Sequence, residues 1–259
     1  ASPASADKLT VTTELGTADE ALQTQLKGAV VVLNREYNGS YSLPVDVQGS
    51  LPNGWRVEYS KDNVTFSTSI SSIRDVRESG KYYVKFINDD YNPYVADFDV
   101  KITPKDITTP SDGVPIVQLD IYVEPTYTGE ELYLNNPELY WTRGATKVVL
   151  EQGAGKDVTI AYSNNINRPH GTITVTAVEG GNYKGSCNVY FSIQPKTITP
   201  TIAAIPAQTY TGGKLTPYFS VRTESGSAMT VGKDYTVSYS NNEDAGTATV
   251  TLHPISETE

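Results

Sequence analysis

Few residues in this chain have the types and spacing that chemistry requires. The two histidines, His170 and His253, have no cysteine or second histidine at metal-ligand spacing. The single cysteine, Cys187, lies in the strand-like run "SCNVYFSI", where a thiol serves as a small buried hydrophobe rather than a nucleophile. The carboxylate pairs Asp89-Asp90 and Glu243-Asp244 are sequence neighbours. On a strand such neighbours point to opposite faces and cannot share acid and base work. There is no G-x-S-x-G, H-E-x-x-H or phosphate-cradling glycine loop. The chain is therefore expected to be no enzyme.

Binding chemistry has more material. "NDDYN", Asn88 to Asn92, gathers oxygens that calcium would suit, and Asp106 and Asp112 near the joints are similar. None has the alternating spacing of an EF-hand loop, and turn acids in water are the plainer reading. Tyr140 and Trp141 in "ELYWTRG" are adjacent, so an extended backbone turns one of them to solvent. That pair is the candidate ligand-binding site, for a glycan or a host protein. Trp55, in register with Val57 and Tyr59, reads as core. Lys156 and Lys233 with the paired asparagines of "SNN" hold the ingredients of a lysine–asparagine crosslink, although both stretches read first as turns.

Composition narrows the partners. A formal net charge of -10 and the absence of a basic stripe argue against nucleic acid. No apolar run approaches the roughly 20 residues of a membrane span. With one cysteine the 259 residues cannot be stapled by an internal disulfide. The small polar start "ASPASAD" suits a chain from which an export signal has been removed, so export is inferred.

The elements that must position these residues come from a repeat. Lysine-led strand starts recur at Lys8, Lys105 and Lys196, a domain-sized period. Tyrosine-glycine turns recur at Tyr37, Tyr127 and Tyr210, and strands ending in tyrosine-serine stop at Ser60, Ser163 and Ser240. "GKDVTIAYSNN" from Gly155 and "GKDYTVSYSNN" from Gly232 are near copies. Period-two alternation places Tyr235, Val237 and Tyr239 on one face of a strand. It does the same for Ile173, Val175 and Ala177, with Thr172, Thr174 and Thr176 facing water. Turns are predicted at Asn38-Gly39, Asn53-Gly54, Asp112-Gly113 and Gly180-Gly181. The "SNN" sites suit a left-handed backbone that asparagine tolerates.

Six to eight short strands per unit predict an all-β chain of three tandem immunoglobulin-like β-sandwich domains in an elongated rod. The borders are a tail at 1–7, a first domain at 8–104, a second at 105–195 and a third at 196–259. Prolines at 104, 110, 195 and 200 stiffen the joints. "TADEALQTQLKG" predicts a short helix at 17–28, with Thr17 as N-cap and Glu20 three residues on. That helix leaves a β-grasp-like first domain as the second fold. Unit three stops at "HPISETE" without a counterpart to "CNVYFSI", so an open sheet edge is expected there, left by truncation before the last strand or, alternatively, filled by a strand from a neighbouring chain.

"YTGEEL" with "GKDVTIAYSNNINRPHGTITVTAVEGGNYKGSCNVYFSI", and "YTGGKL" with "GKDYTVSYSNNEDAGTATVTL", resemble tandem bacterial Ig-like repeats. Those repeats occur in large secreted and wall-attached proteins of gut bacteria. "YNGSYSL…RVEYSKD…SGKYYVKF…YNPYVADFDVKITPK" resembles the sister pattern called MBG-type. The resemblance covers the chain from Tyr37 onward and implies an extracellular or cell-surface location. It implies a stalk, spacer or adhesin segment, a monomer whose partners are other domains of a larger surface protein. It carries over no catalytic residue and no cofactor.

Overall fold

The computed structural model describes residues 14–255. The tail at 1–7 and the first lysine-led start at Lys8 lie outside the described residues. The described chain is mostly β, with one α-helix and one 3-10 turn among short strands. It gathers into two compact units that interleave in sequence. One takes the chain up to Gln118 with Glu138–Ala161 and Thr174–Asn188. The other takes Leu119–Pro137, Tyr162–Ile173 and Val189 onward. The three-domain division at Lys105 and Lys196 rests on the repeats alone.

The helix of the first unit spans Glu20–Gly28, inside the predicted stretch. Its N-cap is Asp19 rather than Thr17. Asp19 is extended (φ -72°, ψ 173°) and its carboxylate accepts the Leu22 N–H at 2.8 Å, taking up a donor the first turn leaves unpaired. Leu26, fully buried, is the helix's anchor in the core.

The largest sheet of that unit is mixed. Asn34–Glu36 runs parallel to Tyr91–Thr103, which pairs antiparallel with Gly80–Asn88, which pairs antiparallel with Arg56–Ser60. Alternation along Gly80–Asn88 buries Tyr82, Val84 and Phe86 on one face. Their partners Phe98, Ala96 and Tyr94 stand opposite. Removing one such side chain from water contributes about 1.5–3 kcal/mol, so these three positions anchor the sheet.

Lys105–Asp106 runs parallel to Tyr183–Lys184, which ties the first joint to a distant strand. Glu138–Arg143 and Thr146–Val149 form a hairpin in which Val149 faces Tyr140 and Val148 faces Trp141. Val158–Ser163, His170–Ala177 and Ser186–Ser192 make a three-stranded sheet in that order. Along Ser186–Ser192 burial alternates strictly, with Cys187, Val189 and Phe191 inside. On His170–Ala177 the expectation holds for Ile173 and Val175 and fails for Thr172, which is also buried.

In the second unit, Tyr235–Ser240 pairs antiparallel with Thr249–Pro254. Tyr235, Val237 and Tyr239 lie on the packed face as the alternation predicts. They join Phe219, Val221, Val250 and Leu252 in one apolar cluster. All the predicted turn glycines that sequence alone singled out at Gly39, Gly54, Gly113 and Gly180 have positive φ.

Candidate functional site

Trp141 does not offer the stacking face that adjacency with Tyr140 suggested. Alternation turns the two rings to opposite faces of Glu138–Arg143, and the one turned inward is Trp141, 6% exposed. Its indole N–H donates to the Tyr183 hydroxyl at 3.1 Å. The Lys105 ammonium stands 4.5 Å from its ring centre. Tyr183 meets Tyr37 edge-on at 5.2 Å between centroids. Burial pushes the Tyr183 phenol up, the Trp141 hydrogen bond opposes it, and the neighbouring Tyr37 and then the charge of Asp157 reinforce the rise. Tyr140 is half-buried, with Lys147 Nζ 4.0 Å over its ring. Trp141 is thus a core tryptophan and Tyr140 a half-buried tyrosine covered by a cation.

Beside this core the first unit opens a polar cleft of about 410 Å³. Tyr37, Arg74, Asp75 and Arg77 line it from the first repeat, and Arg143, Lys147, Glu151, Lys156, Asp157 and Asn182 from the second. The lining is locally built. Glu78 Oε2 accepts the backbone N–H groups of Arg74 and Asp75 at 2.8 and 2.7 Å, which fixes the turn carrying Arg74 and Arg77. Asn182, 5% exposed, accepts from Val76 N–H at 2.9 Å and donates to Asp75 Oδ1 at 3.0 Å. Asp157 Oδ2 accepts the Glu151 N–H at 2.9 Å. Burial raises the Asp157 carboxyl above the ordinary aspartate range, opposed by that backbone hydrogen bond and reinforced by the Glu151 charge.

The cations of the cleft divide into two kinds. Arg74 is paired with Asp75 at 3.0 Å and Lys156 with Glu151 at 2.9 Å. Arg77 and Arg143 have no carboxylate partner among the described residues; Arg143 Nη1 donates to the Asn38 carbonyl at 2.9 Å. Among the described residues, nearby Arg35 is likewise held only by Ser40 and Ser42, with its Nε buried and unpartnered. Desolvation and then the like charge of Arg143 lower the Arg35 pKa. Sequence reasoning missed this gathering. The available signal was the "RDVR" run at Arg74 and Arg77 in a chain with only seven arginines. Which arginine joins them is a matter of tertiary structure.

The second unit shows what the repeat copies. In the first copy Leu132 N–H donates to the Asn165 carbonyl at 2.9 Å, and Asn165 Nδ2 donates to the Leu132 carbonyl at 2.8 Å. In the second copy Leu215 and Asn242 make the same two bonds, each at 2.8 Å. The preceding asparagines, Asn164 and Asn241, take positive φ of 53° and 51°. "YTGxxL" and "YSNN" are thus two halves of one backbone clamp.

The remaining candidates serve their own surroundings. Asn88 Oδ1 accepts from Asp90 N–H, and Asp89 pairs with Arg56 at 3.0 Å. Asp106 and Asp112 each cap a backbone N–H two residues on, those of Thr108 and Val114. His253 shares a hydrogen bond with Ser238, and His170 stands edge-on to Tyr190. Among the described residues no three His, Cys, Asp or Glu side chains gather as metal ligands. Trp55 is half-buried against Tyr91, 5.4 Å away. No helix of the described residues is long and apolar enough to cross a membrane.

No family model and no curated protein matches this chain. Among solved structures, extracellular domains 3–5 of Drosophila OTK are similar at a TM-score of 0.23 and 12% identity, over 94% of this chain and 91% of that one. A likeness of that size carries no argument.

Proposed function

We propose that this chain is a non-catalytic spacer segment of a larger bacterial cell-surface or secreted protein, built from tandem immunoglobulin-like sandwiches. The observation that carries the reading is the twice-made clamp. Leu132–Asn165 and Leu215–Asn242 repeat the same pair of hydrogen bonds. The loops after the asparagines differ, "INRPH" in one copy and "EDA" in the other. A copied active site would keep reactive loop residues and let the frame drift. Here the backbone frame is kept, which is what load and spacing require of a segment. Of the two rings of the adhesin alternative, Tyr140 and Trp141, the tryptophan is 6% exposed, which favours the spacer reading.

A display experiment tests the spacer role. The chain is placed between a cell-wall anchor and a small antigen-binding module, and capture of bead-sized antigen is counted per displayed molecule. Capture should exceed that of the module fused directly to the anchor, and of a Gly/Ser linker of equal residue count. Capture no better than direct fusion removes the proposal.

A further inference from the structure

Five cationic side chains and three carboxylates face one cleft of about 410 Å³, in a chain whose net charge is -10. The cleft is at the lower end of the roughly 300–1,000 Å³ in which small ligands are held. Arg77 and Arg143 enter it without a carboxylate of their own. An arginine left unpaired beside available acids is uneconomical for stability alone, since its fork of donors matches a carboxylate at two points. Behind Arg143, the unpaired and partly desolvated Arg35 adds to the local positive potential.

We propose that this cleft binds a carboxylated sugar, with Arg77 and Arg143 taking the sugar carboxylate and Asp157 accepting its hydroxyl groups. Three observations choose this class. Asp75, Glu151 and Asp157 line the same cleft and repel a phosphate dianion or a polyanionic chain, while a single carboxylate is tolerated. Carboxylates beside arginines are what a ring dense in hydroxyls uses, because each hydroxyl donates to one and accepts from the other. Val149, 45% exposed, supplies an apolar patch in the wall against which the C–H face of a pyranose packs. Asn182 is a positioning residue. Buried and tied to Val76 N–H and Asp75, it fixes the first repeat's side of the cleft against the second's. This proposal is independent of the spacer role, and either stands if the other fails.

The test is titration of the whole chain, by calorimetry and by amide chemical shifts, with galacturonate and with sialyllactose, which carry one carboxylate each. Galactose, lactose and inorganic phosphate are the controls. One or both carboxylated probes should bind, shifting the amides of Glu151, Asp157 and Asn182; which one binds identifies the source of the sugar. The neutral counterparts should bind roughly ten- to a hundredfold more weakly, the factor expected for one charged hydrogen-bonded pair. Arg77→Met, on an exposed side chain whose loss leaves the fold intact, should weaken binding by about tenfold or more. Arg143→Met should do the same, with its circular dichroism and melting checked beside it. Arg56→Met, at the Asp89 pair outside the cleft, should change nothing. Equal binding of neutral sugars, tighter binding of phosphate, or no binding of either carboxylated probe at 10 mM (a Kd weaker than about 10⁻² M) would each overturn the proposal. So would full affinity in folded Arg77→Met.

Discussion

At the scale of single residues, the chain's titratable groups are decided by burial more than by reactive neighbours. Cys187 is 5% exposed, and desolvation pushes its thiol up to about 11. At pH 8 it should therefore not react with a disulfide reagent over minutes in the native chain, and should react fully in urea. Rapid native labelling would show the strand Ser186–Ser192 to be open. Asp157 is the acid that burial works against. Its pKa is raised in the fold, so its contribution is fully favourable below the ordinary aspartate value of 3.8 and is lost as pH rises through the raised value. Asp157→Asn keeps an oxygen for the Glu151 N–H and removes the charge. The variant's urea midpoint should equal or exceed that of the parent at pH 7, and the gap should close as pH falls below 3.8. A parent that is the more stable at pH 7, or a gap that ignores pH, contradicts the assignment.

At the scale of elements, the clamp can be weighed one copy against the other. Asn165 is buried where Asn242 is half-exposed, so the same hydrogen bond is lost into different surroundings. Asn165→Ala should cost about 1–3 kcal/mol, the range for leaving a buried partner unpaired, and Asn242→Ala less than about 1 kcal/mol, because water replaces the amide. Chemical denaturation of the two variants decides it, and the reverse order would mean the copies are not equivalent. These elements also show what sequence can tell. The left-handed turns at Asn164 and Asn241, the buried faces of Tyr235–Ser240 and Ser186–Ser192, and the helix at Glu20–Gly28 were legible, because each is set by residues adjacent in the chain. The other half of the clamp was not. Its leucine lies 33 residues before the asparagine in one copy and 27 in the other, and nothing in "YTGxxL" marks it as a partner. The cleft was hidden for the same reason, since Arg77 and Arg143 come to line one cleft only through tertiary structure.

At the scale of the molecule, repeat borders and compact units disagree about where the chain can be cut. The repeats draw a border after Pro104, which predicts that residues 1–104 fold alone. In the structure that stretch is only part of a unit that also takes Glu138–Ala161 and Thr174–Asn188. Cutting at the border removes Asn182 from the Val76 N–H and Asp75, and Tyr183 from the buried ring of Tyr37. It also removes the strand pairing of Lys105–Asp106 with Tyr183–Lys184. The four-stranded sheet from Asn34–Glu36 to Arg56–Ser60 stays whole, with Val84 and Phe86 still in register. The fragment should therefore keep its strands yet unfold at lower urea than the same segment within residues 1–190. Two lost hydrogen bonds, one to a charged partner, and the uncovering of the tyrosine ring sum to several kcal/mol by ordinary values. Hydrogen exchange monitored residue by residue in both pieces reads this directly. Protection at Tyr82, Val84 and Phe86 should survive in the short piece, and protection at Val76 should vanish. Equal urea midpoints with Val76 still protected would show that the repeat border is the physical one, and that the strands beyond Lys105 add nothing to the first unit.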